Sequence, residues 1–181
     1  MINIQIDEKK PEFYGSSGLH LYSVKSEKSN NNRTILIDEK NKGITLYKQY
    51  DSILAFLSNE IDLYPSNDHE DRIETYPVYG NPKYTKFLNP IHNNTQEVDF
   101  YGYLDSSDVK KVSEFLDGNA LDKEEGIRIF YHTLSERVKE HLEMCLGEEV
   151  IPELVHYFKT LVQFFKQASN ARNEVVIIAN G

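Results

Sequence analysis

The chain has 181 residues, a single cysteine and a formal net charge of −9. This length predicts one domain with a core large enough to fold without disulfides or metals. The lone Cys145 excludes an internal disulfide and favours a reducing compartment. The first residues lack the layout of a signal peptide, and no apolar run reaches the ~20 residues of a membrane span. We therefore expect a cytoplasmic protein that does not enter a membrane.

The negative charge is concentrated in one part of the sequence. Residues 97–153 contain fifteen Asp or Glu and six Lys or Arg, a balance of −9, so the remainder is neutral. Such a segment repels nucleic acid, because affinity for phosphates depends on Lys and Arg. It attracts a basic protein, although acidic surfaces also serve solubility alone.

The first part of the chain has the alternation that is typical of strands. Residues 1–13 predict an edge strand and residues 19–24 a second strand. Residues 34–38 and 43–47 flank a four-residue polar connection, which predicts a β-hairpin.

The middle of the chain combines a helix with a long irregular segment. Helical spacing begins at Gln49, and this helix must end before Pro65. Residues 64–100 contain four prolines and predict little regular structure, which is unusual in a compact domain and often functional.

The second half of the chain is predominantly helical. Asp105 predicts an N-cap and Gly118 the end of the same helix. Residues 123–146 predict helix, with a break near Gly126 or at Ser135.

A last helix with Pro152 in its first turn is followed by a polar turn at Asn170–Asn173 and a buried strand at Val175–Ala179. The pattern predicts a single α+β domain over residues 1–181. In it a small mixed sheet packs with four to five helices and contains the C-terminal strand.

No motif in the sequence predicts a catalytic, cofactor or metal site. The two glycines of Gly15-Ser-Ser-Gly18 are one residue too close for a nucleophile elbow, so the segment predicts a turn. His141 and Cys145 are spaced as a two-ligand face on a helix, but zinc needs three or four ligands. Cys145 falls on the apolar stripe and is expected to be a buried thiol.

Aromatic residues suggest a surface that binds a partner. Residues 64–103 contain six of the twelve tyrosines, and tyrosine is enriched at binding hot spots. The alternative is that these rings cover a core that lacks tryptophan. The residues that we expect to bind a partner are Tyr76, Tyr79, Tyr84, Tyr101, Glu148 and Glu149.

The C-terminal sequence resembles the end of the bacterial YfbM-like family, a family of unknown function. The matching pieces are "LVHYFKTLVQFFKQA", "SNARN" and "EVVIIANG", together with "YGYLDSSDVKKVSEFL" and, more weakly, "LYKQYDSILAFLSN". In the last piece Tyr50, Leu54 and Ser58-Asn59 stand where the family has Trp, His and Thr-Gly. The resemblance covers residues 43–181, most securely 98–181, while residues 1–42 diverge. It implies an α+β fold and a bacterial setting, and no activity.

Three functional hypotheses remain open from the sequence. The first is a non-catalytic interaction module, of immunity or inhibitor type, that masks a basic protein surface. The second is an enzyme of unrecognised class that uses a His and carboxylates brought together by folding. The third is a small-molecule or peptide sensor that uses the tyrosine-rich segment.

Overall fold

The computed structural model describes residues 2–6, 18–26, 33–38, 40–46, 50–59 and 99–180. Within these ranges the chain forms six strands and five helices. The elements in order are β1 (Ile2–Ile6), β2 (Gly18–Val24), β3 (Arg33–Ile37), β4 (Gly43–Leu46), α1 (Tyr50–Ser58), β5 (Asp99–Leu104), α2 (Ser106–Gly118), α3 (Glu124–His132), α4 (Glu136–Leu146), α5 (Val150–Asn170) and β6 (Glu174–Asn180).

The C-terminal strand occupies an interior position in the main sheet. That sheet has four antiparallel strands in the order β4-β2-β6-β5, so β6 pairs with a strand on each side. Val175 and Ile177 belong to the core beneath the helices, and Val176, which points to the opposite face, is fully buried as well. The continuous apolar run of β6 therefore reflects a strand that is covered on both faces, as the sequence predicted.

The predicted hairpin between the third and fourth strands is wrong. β3 pairs in parallel with β1 in a separate two-stranded sheet, whereas β4 pairs with β2. The polar connection does reverse the chain, because the amide of Asn41 donates to the carbonyl of Asp38 over 3.1 Å. This turn fixes only local geometry, and the distant strands β1 and β2 supply the pairing partners.

The starts of α2 and α4 are fixed by capping side chains. The Asp105 carboxylate accepts a hydrogen bond from the amide of Asp108 over 2.8 Å, which caps α2. The predicted break in residues 123–146 falls at Ser135, the N-cap of α4, whose hydroxyl faces the amide of Val138. The predicted α+β fold, with five helices and an inserted C-terminal strand, is confirmed.

The core lies between the long helix α5 and the main sheet. Leu154, Phe158 and Phe165 on α5 are completely buried. The ring of Phe56 on α1 lies 5.0 Å from that of Phe158 and 4.8 Å from that of Phe130 on α3. Packed phenylalanine rings thus supply the large aromatic side chains of this core, and the chain contains no tryptophan.

Candidate functional site

The predicted partner-binding residues are only partly described by the structure. Tyr76, Tyr79 and Tyr84 lie outside the described residues, as does most of the irregular segment that contains them. Tyr101 lies in β5, where its backbone is paired with Ile178 of β6. The tyrosine part of the predicted binding surface therefore stays a prediction.

The two predicted acidic residues lie in the link between α4 and α5, and both are exposed. They continue an acidic surface that runs along α4. Val138 and Leu142 form the buried side of this helix, and residues spaced three and four apart on its other side point to solvent. We call this surface the acidic face; it comprises the exposed side chains of Glu136, Glu140, Glu143, Met144, Glu148 and Glu149.

A large apolar side chain lies within this acidic surface. Met144 is 77% exposed, more than the other large apolar side chains that are exposed in the described residues, Leu36 and Ile129. Helical spacing places it beside Glu140, four residues earlier. Methionine is flexible and polarisable, and it is over-represented at surfaces that adapt to partners. A single exposed apolar residue is ordinary, but one within an acidic face makes a mixed surface suited to an amphipathic cationic partner.

One edge of the acidic face is fixed by a tyrosine from the neighbouring helix. The Tyr131 hydroxyl of α3 donates a hydrogen bond to the Glu143 carboxylate over 3.1 Å. Burial, this bond and the charges of Glu143 and Glu136 raise the pKa of Tyr131 from 10.0 to about 12. The Lys139 ammonium lies 6.0 Å from the centre of the same ring and 2.7 Å from Glu136. These contacts hold Glu143 in place. Glu140 is exposed, and none of the ion pairs between described residues includes it.

A second tyrosine lies at the start of α5. Burial, followed by a hydrogen bond to Glu153 and the charge of that carboxylate, raises the pKa of Tyr157.

Sequence reasoning did not identify Tyr131, Tyr157 or Met144. The position of Met144 on the polar side of α4 was a usable signal, whereas the contact of Tyr131 with Glu143 depends on how two helices pack.

The prediction that Cys145 is buried is wrong. The thiol is exposed in the last turn of α4, 3.6 Å from Nε2 of His141. Val138 and Leu142 of the same stripe are buried, and Leu146 packs against the core, whereas the neighbouring Cys145 is exposed. Among the described residues no three His, Cys, Asp or Glu side chains come together as a metal site. The absence of a metal centre stays a prediction for the whole chain.

Comparison with solved structures identifies the architecture. The chain aligns with the crystal structure of YfbM from Escherichia coli, a protein of unknown function, with a TM-score of 0.55 over 90% of this chain and 99% of that chain. The chain has the YfbM fold. The alignment has 10% sequence identity, which supports the fold and carries no residue role.

The predicted resemblance is therefore confirmed at the level of fold. It extends beyond residues 43–181, the range that the sequence motifs covered. No protein-family model and no curated protein matches the chain. Among the helices of the described ranges, none is long and apolar enough to span a bilayer.

Proposed function

We propose that the protein is a non-catalytic interaction module, of immunity or inhibitor type, that holds a basic protein partner on its acidic face in the bacterial cytoplasm. The observation that carries this proposal is Met144, which is 77% exposed within the acidic face. Carboxylates alone serve solubility. An exposed apolar side chain among them has an unfavourable free energy in water, and a partner that buries the side chain removes that cost.

The charge distribution supports the proposal independently of Met144. Residues 136–149 contain five Glu and two basic residues, Arg137 and Lys139. Lys139 is directed inward against Tyr131 and Glu136, so the outward potential of the helix is negative. Such a potential speeds the encounter with a basic partner and rejects acidic ones. The predicted contacts of Tyr76, Tyr79, Tyr84 and Tyr101 with the partner remain part of this proposal.

The enzyme alternative receives less support from the described residues. An acid–base enzyme would bring a His and two carboxylates into one concave site. Among the described residues that line the groove between β3 and α5, discussed below, there is one carboxylate and no histidine. His20, which is buried, lies in β2 with its Nδ1 3.1 Å from the Thr45 hydroxyl, a contact that anchors a core histidine between two strands.

The proposal is tested by separating association from dissociation. Replacing Glu140, Glu148 and Glu149 by Gln is expected to slow association with the partner, with a loss that shrinks as salt is added. Met144→Ala is expected to leave association nearly unchanged and to speed dissociation. A matched control, Glu114→Gln on α2, removes an exposed carboxylate outside the acidic face and should change neither rate. Equal effects of the control and the acidic-face variants would contradict the proposal.

A further inference from the structure

A groove lies between β3 and the C-terminal end of α5. In contrast to the acidic face, most of its described charged residues are lysines. Its volume is about 690 Å³, within the range of small-molecule sites. We call it the β3–α5 groove. Its walls come from the end of β2, from β3 and the turn that follows it, and from the last two turns of α5 with the link to β6.

The interior of the groove is apolar and well ordered by packing. Val24, Ile35, Phe164 and Ala168 line it, and each is buried at 9% exposure or less. Phe164 is also packed edge-on against Phe165, with ring centres 5.5 Å apart. These residues present a hydrophobic floor that is held by the main core, and an apolar ligand body placed on it would be removed from water.

Lysines predominate among the described charged residues at the mouth of the groove, although the protein is acidic overall. The lining includes the exposed lysines Lys25, Lys40 and Lys42 and one carboxylate, Asp38. Among the described residues of the lining, three side chains are positive and one is negative, whereas the whole chain carries −9. Charge of this sign is not explained by the solubility of an acidic chain.

The turn between β3 and β4 holds the Asp38 carboxylate in a hydrogen bond. One oxygen of Asp38 accepts a hydrogen bond of 2.8 Å from the amide of Lys40, and the amide of Asp38 donates to the Asn41 side chain over 2.8 Å. Among the ion pairs between described residues, none includes Lys25, Lys40 or Lys42. All three lysines are exposed and line the groove, so their ammonium groups can reach a ligand in it.

The opposite wall is fixed by the link between α5 and β6. The Asn173 side-chain amide donates to the Ser23 hydroxyl over 2.9 Å, which joins the link before β6 to the end of β2. The backbone amide of Asn173 also donates to the carbonyl of Ala168 over 2.9 Å. This wall is thus preformed, so a ligand would not have to order it.

We infer that the β3–α5 groove binds a small organic anion whose apolar body rests on Phe164 and Ile35 and whose charged group meets the lysines. The size of the groove, its buried apolar floor and the lysines at its mouth all match this one ligand class. This site is separate from the acidic face and does not depend on the proposed partner. An acidic peptide segment would satisfy the lysines, but a groove of this volume holds only one or two of its side chains.

The test uses two probes that differ in charge. Anilinonaphthalene sulfonate carries an aromatic body and one negative charge, and N-phenyl-1-naphthylamine carries a similar body without the charge. We expect the sulfonate to bind the whole protein at least about tenfold more tightly, as one or two desolvated charge contacts would give. Lys25→Gln with Lys42→Gln should remove most of that preference. The matched double variant Lys110→Gln with Lys166→Gln, which removes the same charge from paired lysines elsewhere, should retain it.

A second variant tests the position of the site. Ala171 is exposed at the end of α5 and lines the groove, so Ala171→Trp should fill the groove and abolish binding of both probes while the melting temperature stays unchanged. Equal affinity for the two probes, or sulfonate binding that survives both Ala171→Trp and the groove lysine variant, would overturn the inference. Displacement of the sulfonate by a glutamate-rich hexapeptide at lower concentration than by free glutamate would overturn the assignment to a small molecule.

Discussion

The side-chain oxygen Oδ1 of Asn59 accepts a hydrogen bond of 2.7 Å from the backbone amide of Ser135, 76 residues further along the chain. Asn59 follows the last residue of α1 and has a left-handed φ of 58°. Ser135 is the N-cap of α4. One residue therefore both ends α1 and joins that end to the start of the helix that carries the acidic face.

Two substitutions at this position separate its two roles. Asn59→Gly loses the hydrogen bond, about 0.5–1.5 kcal/mol, but adopts a left-handed φ without strain. Asn59→Ala loses the bond and adds about 1–2 kcal/mol of backbone strain. Denaturant unfolding should therefore rank the free energy of unfolding as wild type, then Asn59→Gly, then Asn59→Ala. An Ala variant at least as stable as the Gly variant would contradict this account.

The turn after α2 depends on a close backbone approach that requires glycine. A Cβ on Gly126 of α3 would overlap the carbonyl oxygens of Asn119 and Ala120. Gly126→Ala should therefore destabilise the protein by more than about 2 kcal/mol, although alanine is the better helix former by ~1 kcal/mol. Gly118→Ala is the control, since nothing lies within 4 Å of the position that its methyl group would take; it should leave stability unchanged or raise it. Thermal unfolding of both variants measures the difference, and equal melting temperatures would refute the argument.

Local signals in the sequence were sufficient for most of the helices. Asp105 could be predicted as an N-cap because a side chain that bonds the first amides acts within three residues, and Ser135 was one of the two predicted positions for a break. The strands that pair with β3 and β4 could not be predicted, because a short polar link allows a hairpin but does not require one. The same limit applies to Cys145 and Tyr131: periodicity gives the face of a helix, but not which residue of that face a neighbouring element covers or which carboxylate it brings near.

The terminal strand is expected to be essential for folding. Deleting residues 174–181 removes several buried aliphatic side chains at ~1.5–3 kcal/mol each, which is comparable with the ~5–15 kcal/mol that stabilises a whole domain. It also exposes the pairing edges of β2 and β5. Ile177→Ala, at a residue that is 2% exposed, should cost roughly 2–5 kcal/mol.

Leu36→Ala is the matched control for the terminal strand, because that side chain is 53% exposed on β3. Its effect on the free energy of unfolding should stay within about 1 kcal/mol. Circular dichroism of the truncated protein and urea unfolding of the point variants measure these effects. A truncated chain that melts cooperatively at the original temperature would show that β6 is dispensable.

Tyr131 should titrate at higher pH than an exposed tyrosine. Its pKa is raised to about 12, so the folded state favours the protonated phenol. The resulting stabilisation is fully present below pH 10, the pKa of an unfolded tyrosine, and is lost as the pH rises through about 12. Glu143→Gln removes the charged acceptor and should lower this pKa, whereas Glu148→Gln should not. NMR titration of ring-labelled tyrosine, with Tyr131→Phe to assign the signal, measures the pKa; an unchanged value in Glu143→Gln would contradict the role of the contact.

The most direct test of the proposed function is photo-crosslinking from the acidic face in cells of the native host. A photoreactive benzoylphenylalanine at position 144 is compared with one at position 110, an exposed site on α2. The account predicts that position 144 captures a basic protein, that position 110 does not, and that capture is lost when Glu140, Glu148 and Glu149 are replaced by Gln. Capture of the same protein from both positions, or capture at 144 that survives neutralisation of the three carboxylates, would contradict it.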